Sequence, residues 1–97
     1  MATYILLINY TQQGIERIKE SPERLDRVKE LLQSLGGEVR DFYLTMGTYD
    51  VVVMIEAPDD QTVARFVLAA GSHGNVRTTT LKAFSETEFR EIIQSLP

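Results

Sequence analysis

The sequence predicts an α+β domain of the ferredoxin-like kind: a four-stranded antiparallel sheet, two covering helices and a further helix towards the C-terminus. Three observations predict it. The hydrophobic pattern runs strand, helix, strand, strand, helix, strand before the last helix, which is the split βαβ order. The first and third strand segments are apolar on both parities, as strands buried on both faces are. The second and fourth alternate, as strands with one wet face do. In the usual spatial order 4-1-3-2 the first and third strands are central, so pattern and topology agree.

Residues 3–10 read as the first buried strand, with Tyr4, Ile5, Leu6, Leu7 and Ile8 apolar in a row. Thr11-Gln12-Gln13-Gly14 breaks it, and residues 15–20 read as a short irregular or single-turn segment. Ser21-Pro22 then opens a helix, with Ser21 as the expected cap, Pro22 at the first helical position and Glu23 in the positive first turn. Leu25, Val28, Leu31, Leu32 and Leu35 form its apolar stripe. Gly36-Gly37 stops it, because glycine takes the left-handed conformation after a helix without penalty.

Residues 38–45 alternate, with Val39, Asp41, Tyr43 and Thr45 on one parity and Arg40, Phe42 and Leu44 on the other. Met46-Gly47-Thr48 makes a tight connection into a second doubly apolar strand, residues 49–56. Pro58-Asp59-Asp60 opens the next helix with an aspartate cap, and Val63, Phe66, Val67 and Ala70 line one side of it. Gly71 to Gly74 close it. Residues 75–84 alternate again, Thr78, Thr80 and Lys82 against Thr79, Leu81 and Ala83. Ser85-Glu86-Thr87-Glu88 reads as a capping box before a short helix striped by Phe89, Ile92, Ile93 and Leu96.

The 97 residues make one domain, 1–97, with no internal repeat, linker or low-complexity segment. Two helices cover only one face of such a sheet. The other face keeps about half the aliphatic side chains of the central strands, and a patch of that size calls for a cover. The last helix is too short to supply it alone, so a homodimer packed sheet to sheet is the expected assembly, with a higher homo-oligomer open as an extension.

Composition narrows the chemistry. There is no cysteine, which removes disulfides and thiolate catalysis, and a single histidine excludes a multi-histidine metal site within one chain. Neither a metal nor a cofactor is expected. The net charge of −4 argues against a nucleic-acid partner, which needs a basic face. No apolar run approaches the roughly 20 residues of a membrane span. No basic flank or small-residue cleavage site accompanies the first apolar run, so no signal peptide and a cytoplasmic location are expected.

Gly47-Thr48-Tyr49-Asp50-Val51-Val52 resembles the signature of the GYD-domain family, read as Gly-x-Tyr-Asp. Thr11-Gln12-Gln13-Gly14-Ile15, Ser21-Pro22-Glu23-Arg24, Leu35-Gly36-Gly37, Ala57-Pro58-Asp59-Asp60 and the run Gly74 to Phe84 resemble further family blocks, in order, over about residues 3–85. The resemblance implies a dimeric α+β barrel, in which two ferredoxin-like sheets pack face to face. It implies no activity, since the family is of unknown function and its wider structural relatives range from cofactor-free monooxygenases and isomerases to haem proteins and ligand-sensing regulatory domains.

Candidate site residues follow from residue type and position. Tyr49 and Asp50 sit between a glycine turn and a buried strand, as a hydrogen-bond donor and an acid/base at a pocket mouth. Alternatively Gly47 supplies a positive φ, Asp50 bonds turn amides and Tyr49 packs with its hydroxyl wet. His73, in a glycine loop, is a candidate base or an ordinary solvated residue. Thr78, Thr79 and Thr80 with Arg77 suit an anion site, or serve only β-propensity. Asn9 and Tyr10 end the first strand as polar tips that face a ligand or form a rim. Arg24 sits in the first turn of its helix, where a cation opposes the dipole. Its partner is then Asp50, Asp26, Glu23 or a bound anion. Three functions stand open. The first is a small-molecule-binding homodimer using Asn9, Tyr10, Tyr49, Asp50 and Thr80 in a sheet–helix or interface cleft. The second is a cofactor-free monooxygenase or isomerase using Asp50 and His73. The third is a structural assembly module.

Overall fold

The computed structural model describes residues 1–97. β1 (Ala2–Tyr10) leads into a short helix α1 (Gln12–Glu16), a single 3-10 turn (Ile18–Glu20) and α2 (Ser21–Ser34). β2 (Glu38–Leu44), β3 (Val51–Ala57), α3 (Asp60–Gly71), β4 (Val76–Ala83) and α4 (Glu86–Gln94) follow. The sheet order is β2-β3-β1-β4, antiparallel at every pairing. The doubly apolar strands are central and the alternating ones are edges, as their patterns require.

Strand parity divides the sheet into two unlike faces. Tyr4 lies opposite Ile55, Leu6 opposite Val53 and Ile8 opposite Val51. These side chains point under α2 and α3, where Leu32, Val63 and Phe66 complete the buried core. The intervening residues point the other way: Ile5 lies between Met54 and Leu81, and Leu7 between Val52 and Thr79. No helix covers that face, and Met54 and Leu81 stay exposed on it. α4 does not cover it either. None of its residues is buried, and Phe89, Ile92, Ile93 and Leu96 all stay exposed. No helix is long and apolar enough to cross a membrane.

Local chemistry sets most boundaries. α2 ends in a Schellman motif: Gly36 takes φ +87, its N–H donates to the Gln33 carbonyl at 3.0 Å, and Gly37 N–H donates to the Leu32 carbonyl at 2.9 Å. Asp59 caps α3 by accepting from Thr62 N–H at 2.8 Å. Ser85 and Glu88 form the expected capping box.

Four expectations change. Thr11-Gln12-Gln13-Gly14 does break β1, but it does so by starting α1, with the Thr11 hydroxyl accepting from Gly14 N–H. The five residues of α1 are too few to show a 3.6-residue period. Ser21 is not the cap of α2. The 3-10 turn runs straight into the helix, Ser21 is itself helical, and its hydroxyl is 3.1 Å from that of Tyr10 instead. β3 begins at Val51, so Tyr49 and Asp50 belong to the preceding turn. Finally, β2 carries a bulge between Val39 and Asp41 that leaves Arg40 unpaired in the register. The extra residue reverses the parity, so Val39 joins Phe42 and Leu44 on the helix-covered side. Glu38 and Glu56 lie directly opposite each other, a repulsive arrangement. Arg40 relieves it at 2.6 Å from Glu56 and 3.8 Å from Glu38.

Candidate functional site

α2 and α3 lie side by side over β1 and β3 without closing completely between them. The gap is a cleft of about 100 Å³. Its floor is Leu6, Ile8, Val51 and Val53, and its walls include Val28 from α2 with Phe66 and Val67 from α3. Its polar groups are few: Tyr10, Ser21, Arg24 and Thr78. Outside it lies a wider groove of about 500 Å³, bordered by Gln13, Arg17, Glu20, Arg27, His73 and Asn75. Arg24, Val28, Ala70 and Val76 line both spaces, so Arg24 stands at the boundary between an apolar interior and a charged groove.

The Arg24 side chain is only 18% exposed. Its Nη1 donates to the Arg17 carbonyl at 3.0 Å and lies 3.7 Å from Glu20 Oε2. Arg17 caps the C-terminus of α1. The guanidinium therefore meets the negative end of one helix while riding on the positive end of another, which offsets the conflict visible in the sequence. Its carboxylate partner is Glu20, not Asp50, Asp26 or Glu23. Its Nη2 is buried and has no hydrogen-bond partner. A buried, charged donor left unpaired is costly, and no other buried side-chain nitrogen or oxygen in the molecule lacks a partner.

The groove wall is built by α1. Thr11 N–H donates to the Asn75 carbonyl at 3.1 Å and its hydroxyl to the Gly74 carbonyl at 2.5 Å. Gln13 Nε2 donates to the His73 carbonyl at 2.9 Å and lies 3.0 Å from Asn75 Oδ1. Gly14 is buried directly against the Asn75 carbonyl, where a side chain has no room.

The residues singled out in the sequence do not converge on one point. Tyr10 is at the cleft and His73 lines the groove. Asp50 lines neither. Its Oδ2 accepts from Tyr10 N–H at 2.9 Å, its own N–H donates to the Ile8 carbonyl at 2.9 Å, and its carbonyl accepts from Thr45 N–H at 2.8 Å. The Tyr49 carbonyl accepts from the Thr45 hydroxyl at 2.6 Å, and Gly47 turns the chain at φ +134. Gly47 to Asp50 thus clamp the β2–β3 turn to the end of β1 and fix Tyr10 at the cleft. Asn9 lies on the open sheet face opposite Arg77, and Thr80 is exposed on the edge strand opposite Leu6.

Ser21, Gln13 and the polar cluster of Tyr4, Asp60 and Lys82 were not legible as site residues. In that cluster the buried Tyr4 hydroxyl donates to Asp60 Oδ1, which also accepts from Lys82 Nζ at 3.1 Å. Donating to the carboxylate, and then burial, push the Tyr4 hydroxyl up to about 12. The same bond, with that from Lys82, holds Asp60 below the usual carboxylate range. The cluster locks α3 to β1 and β4. Of the residues singled out in the sequence, Tyr10, Arg24 and Thr78 do line the cleft.

Fold and site together place the chain among small ferredoxin-like α+β domains with helices on one sheet face and the other face open. Within that class it belongs to the GYD domain family, whose match spans residues 4–93. It is 42% identical over 84 residues to the glutamine synthetase and cystathionine beta-lyase binding protein of Thermus thermophilus, covering 86% of this chain and 88% of that one. A crystal structure of a Thermus thermophilus protein superposes with a TM-score of 0.56 at 26% identity, covering 88% of this chain and 95% of the other. A feast or famine regulatory protein from M. tuberculosis, solved with L-methionine, superposes at 0.67 with 15% identity. That match takes in 88% of this chain but only 51% of the regulator, and the likeness is one of fold.

Proposed function

We propose that this chain is a small-molecule-binding homodimer whose ligand seat is the cleft between α2, α3 and the sheet. The observation that carries the reading is the cleft itself: an apolar space beside a buried, unpartnered guanidinium nitrogen. Apolar pockets with a few placed polar groups are what ligand sites look like. The uncovered face bearing Ile5, Leu7, Val52, Met54 and Leu81 supports two-fold packing against a second copy. The test is mass spectrometry of small molecules released from protein purified from cells. Wild type is expected to release one compound in near-stoichiometric amount. Val67→Trp, which fills the cleft, is expected to retain at least about tenfold less while keeping its circular dichroism. Equal retention by both proteins contradicts the assignment.

A second reading rests on a different observation. The Thermus relative is named for binding two enzymes, glutamine synthetase and cystathionine beta-lyase, and α4 here presents an apolar stripe that nothing in the chain covers. On this reading the dimer docks through α4 on a metabolic enzyme, with glutamine synthetase as the probe. Sedimentation velocity of the chain alone should give twice the monomer mass, and the mixture should show co-sedimentation. Phe89→Asp with Ile92→Asp should abolish co-sedimentation and leave the dimer intact. Absence of any complex with the wild-type chain removes this reading.

A further inference from the structure

We propose that the cleft and groove together seat an amphipathic monocarboxylate, its head on the Arg24 guanidinium and its apolar tail between α2 and α3. The inference deepens the cleft reading above and rests on it. Three features of the molecule carry it.

The first is the orphaned donor. Nη1 of Arg24 is committed to the Arg17 carbonyl and faces Glu20, whereas Nη2 is buried with no acceptor in reach. A guanidinium with a donor in that state gains an acceptor by a small turn of its part-exposed edge toward an oxyanion in the groove, and charge-assisted bonds to carboxylates are the strongest it can make. The second is the sign of the surroundings. The chain as a whole is acidic, yet the groove beside Arg24 holds Arg17 and Arg27 as well; Arg17 lies 3.8 Å from Glu20 and Arg27 3.6 Å from Glu23, so the three guanidiniums face two carboxylates and keep an excess positive charge. That field draws in an anion. With Glu20 and Glu23 counted, one positive charge is left unbalanced, which a singly charged head matches and a doubly charged phosphate exceeds.

The third is the shape. The interior beyond Arg24 is walled by Ile8, Val28, Phe66 and Val67 and offers nothing for a second charge. Its volume of about 100 Å³ holds about three groups the size of a water molecule, taking ~30 Å³ for each. The tail inside the cleft is therefore short, about three to four carbons beyond the one next to the carboxylate. Longer chains project back into the groove.

Chemical-shift titration of the wild-type chain tests this with a matched pair, hexanoate and hexan-1-ol, and with a chain-length series from butanoate to octanoate. Hexanoate is expected to bind at least about tenfold more tightly than hexan-1-ol. Affinity should rise roughly fourfold per added methylene up to hexanoate and level off after it. Arg24→Gln should reduce hexanoate to the level of the alcohol and leave the alcohol unchanged. Arg24→Lys, which keeps the charge but shortens the reach, should fall between them. Equal binding of hexanoate and hexan-1-ol by the wild type overturns the carboxylate and leaves the cleft standing. Binding of neither, with no shifts at Ile8, Val28 or Phe66, overturns both.

Discussion

Truncating Ile55 to alanine is expected to destabilise the domain by about 4 kcal/mol, the upper part of the ~2–5 kcal/mol range for large-to-small changes at buried sites. Ile55 is fully buried at the centre of β3, opposite Tyr4 on β1 and Val39 on β2. It faces the helices, flanked by the side chains of Tyr4 and Val39 on strands whose spacing is fixed, so the vacated space collapses little. A ladder of hydrogen bonds holds those strands apart, which is why relaxation is limited. For a chain of this length each kcal/mol lowers the midpoint by roughly 4–8 °C, so the melting temperature should fall by about 15–30 °C. Urea titration of both proteins checks it. The midpoint should fall with the slope unchanged, and a loss below about 1 kcal/mol would falsify the placement of Ile55 in a rigid core.

The second large effect runs against helix propensity. Gly14 lies within α1, where alanine is normally favoured by about 1 kcal/mol. A Cβ at that position would sit 2.1 Å from the Asn75 carbonyl oxygen and 3.0 Å from its carbon. The obstructing atoms are backbone, held by the Thr11 amide at 3.1 Å, so no rotamer change gives relief. The clash wins: Gly14→Ala is expected to cost about 3 kcal/mol, at the upper end for overpacking. The strain falls on the segment that carries His73 and Asn75, so hydrogen exchange should speed up there before it does in β1 or β3. The groove wall is lost with it. If Gly14→Ala instead raises stability, α1 does not pack on this loop and the groove as described does not exist.

Both variants act through contacts between distant parts of the chain, and that separates what was legible from what was not. The central position of β1 and β3 was readable because burial on two faces writes itself into consecutive residues such as Tyr4 to Ile8 and Val51 to Ile55. The stops and starts at Gly36-Gly37, Asp59 and Ser85 were readable because each is settled within a few residues by a side chain or a backbone conformation. The uncovered sheet face was readable as well, since counting helices against faces needs no coordinates.

The bulge at Arg40 was not legible. It settles a competition across strands, in which the Glu38–Glu56 repulsion and the need to turn Val39 inward outweigh regular alternation. The role of Asp50 was half legible: a carboxylate bonding a backbone amide was one of the readings, but only the tertiary structure shows that the amide is that of Tyr10 on β1 and not one of the turn. The cleft lay furthest beyond reach. It is a misfit between side chains from β1, β3, α2 and α3, brought together from positions as far apart as Leu6 and Thr78. Arg24 bordered on legibility: its wrong-signed place in a helix start shows locally, but the buried nitrogen left without a partner is a property of the whole fold. Periodicity and capping are local and survive in the sequence, whereas voids and unmet hydrogen bonds are differences between packed surfaces, and only the tertiary structure decides where those surfaces fail to meet.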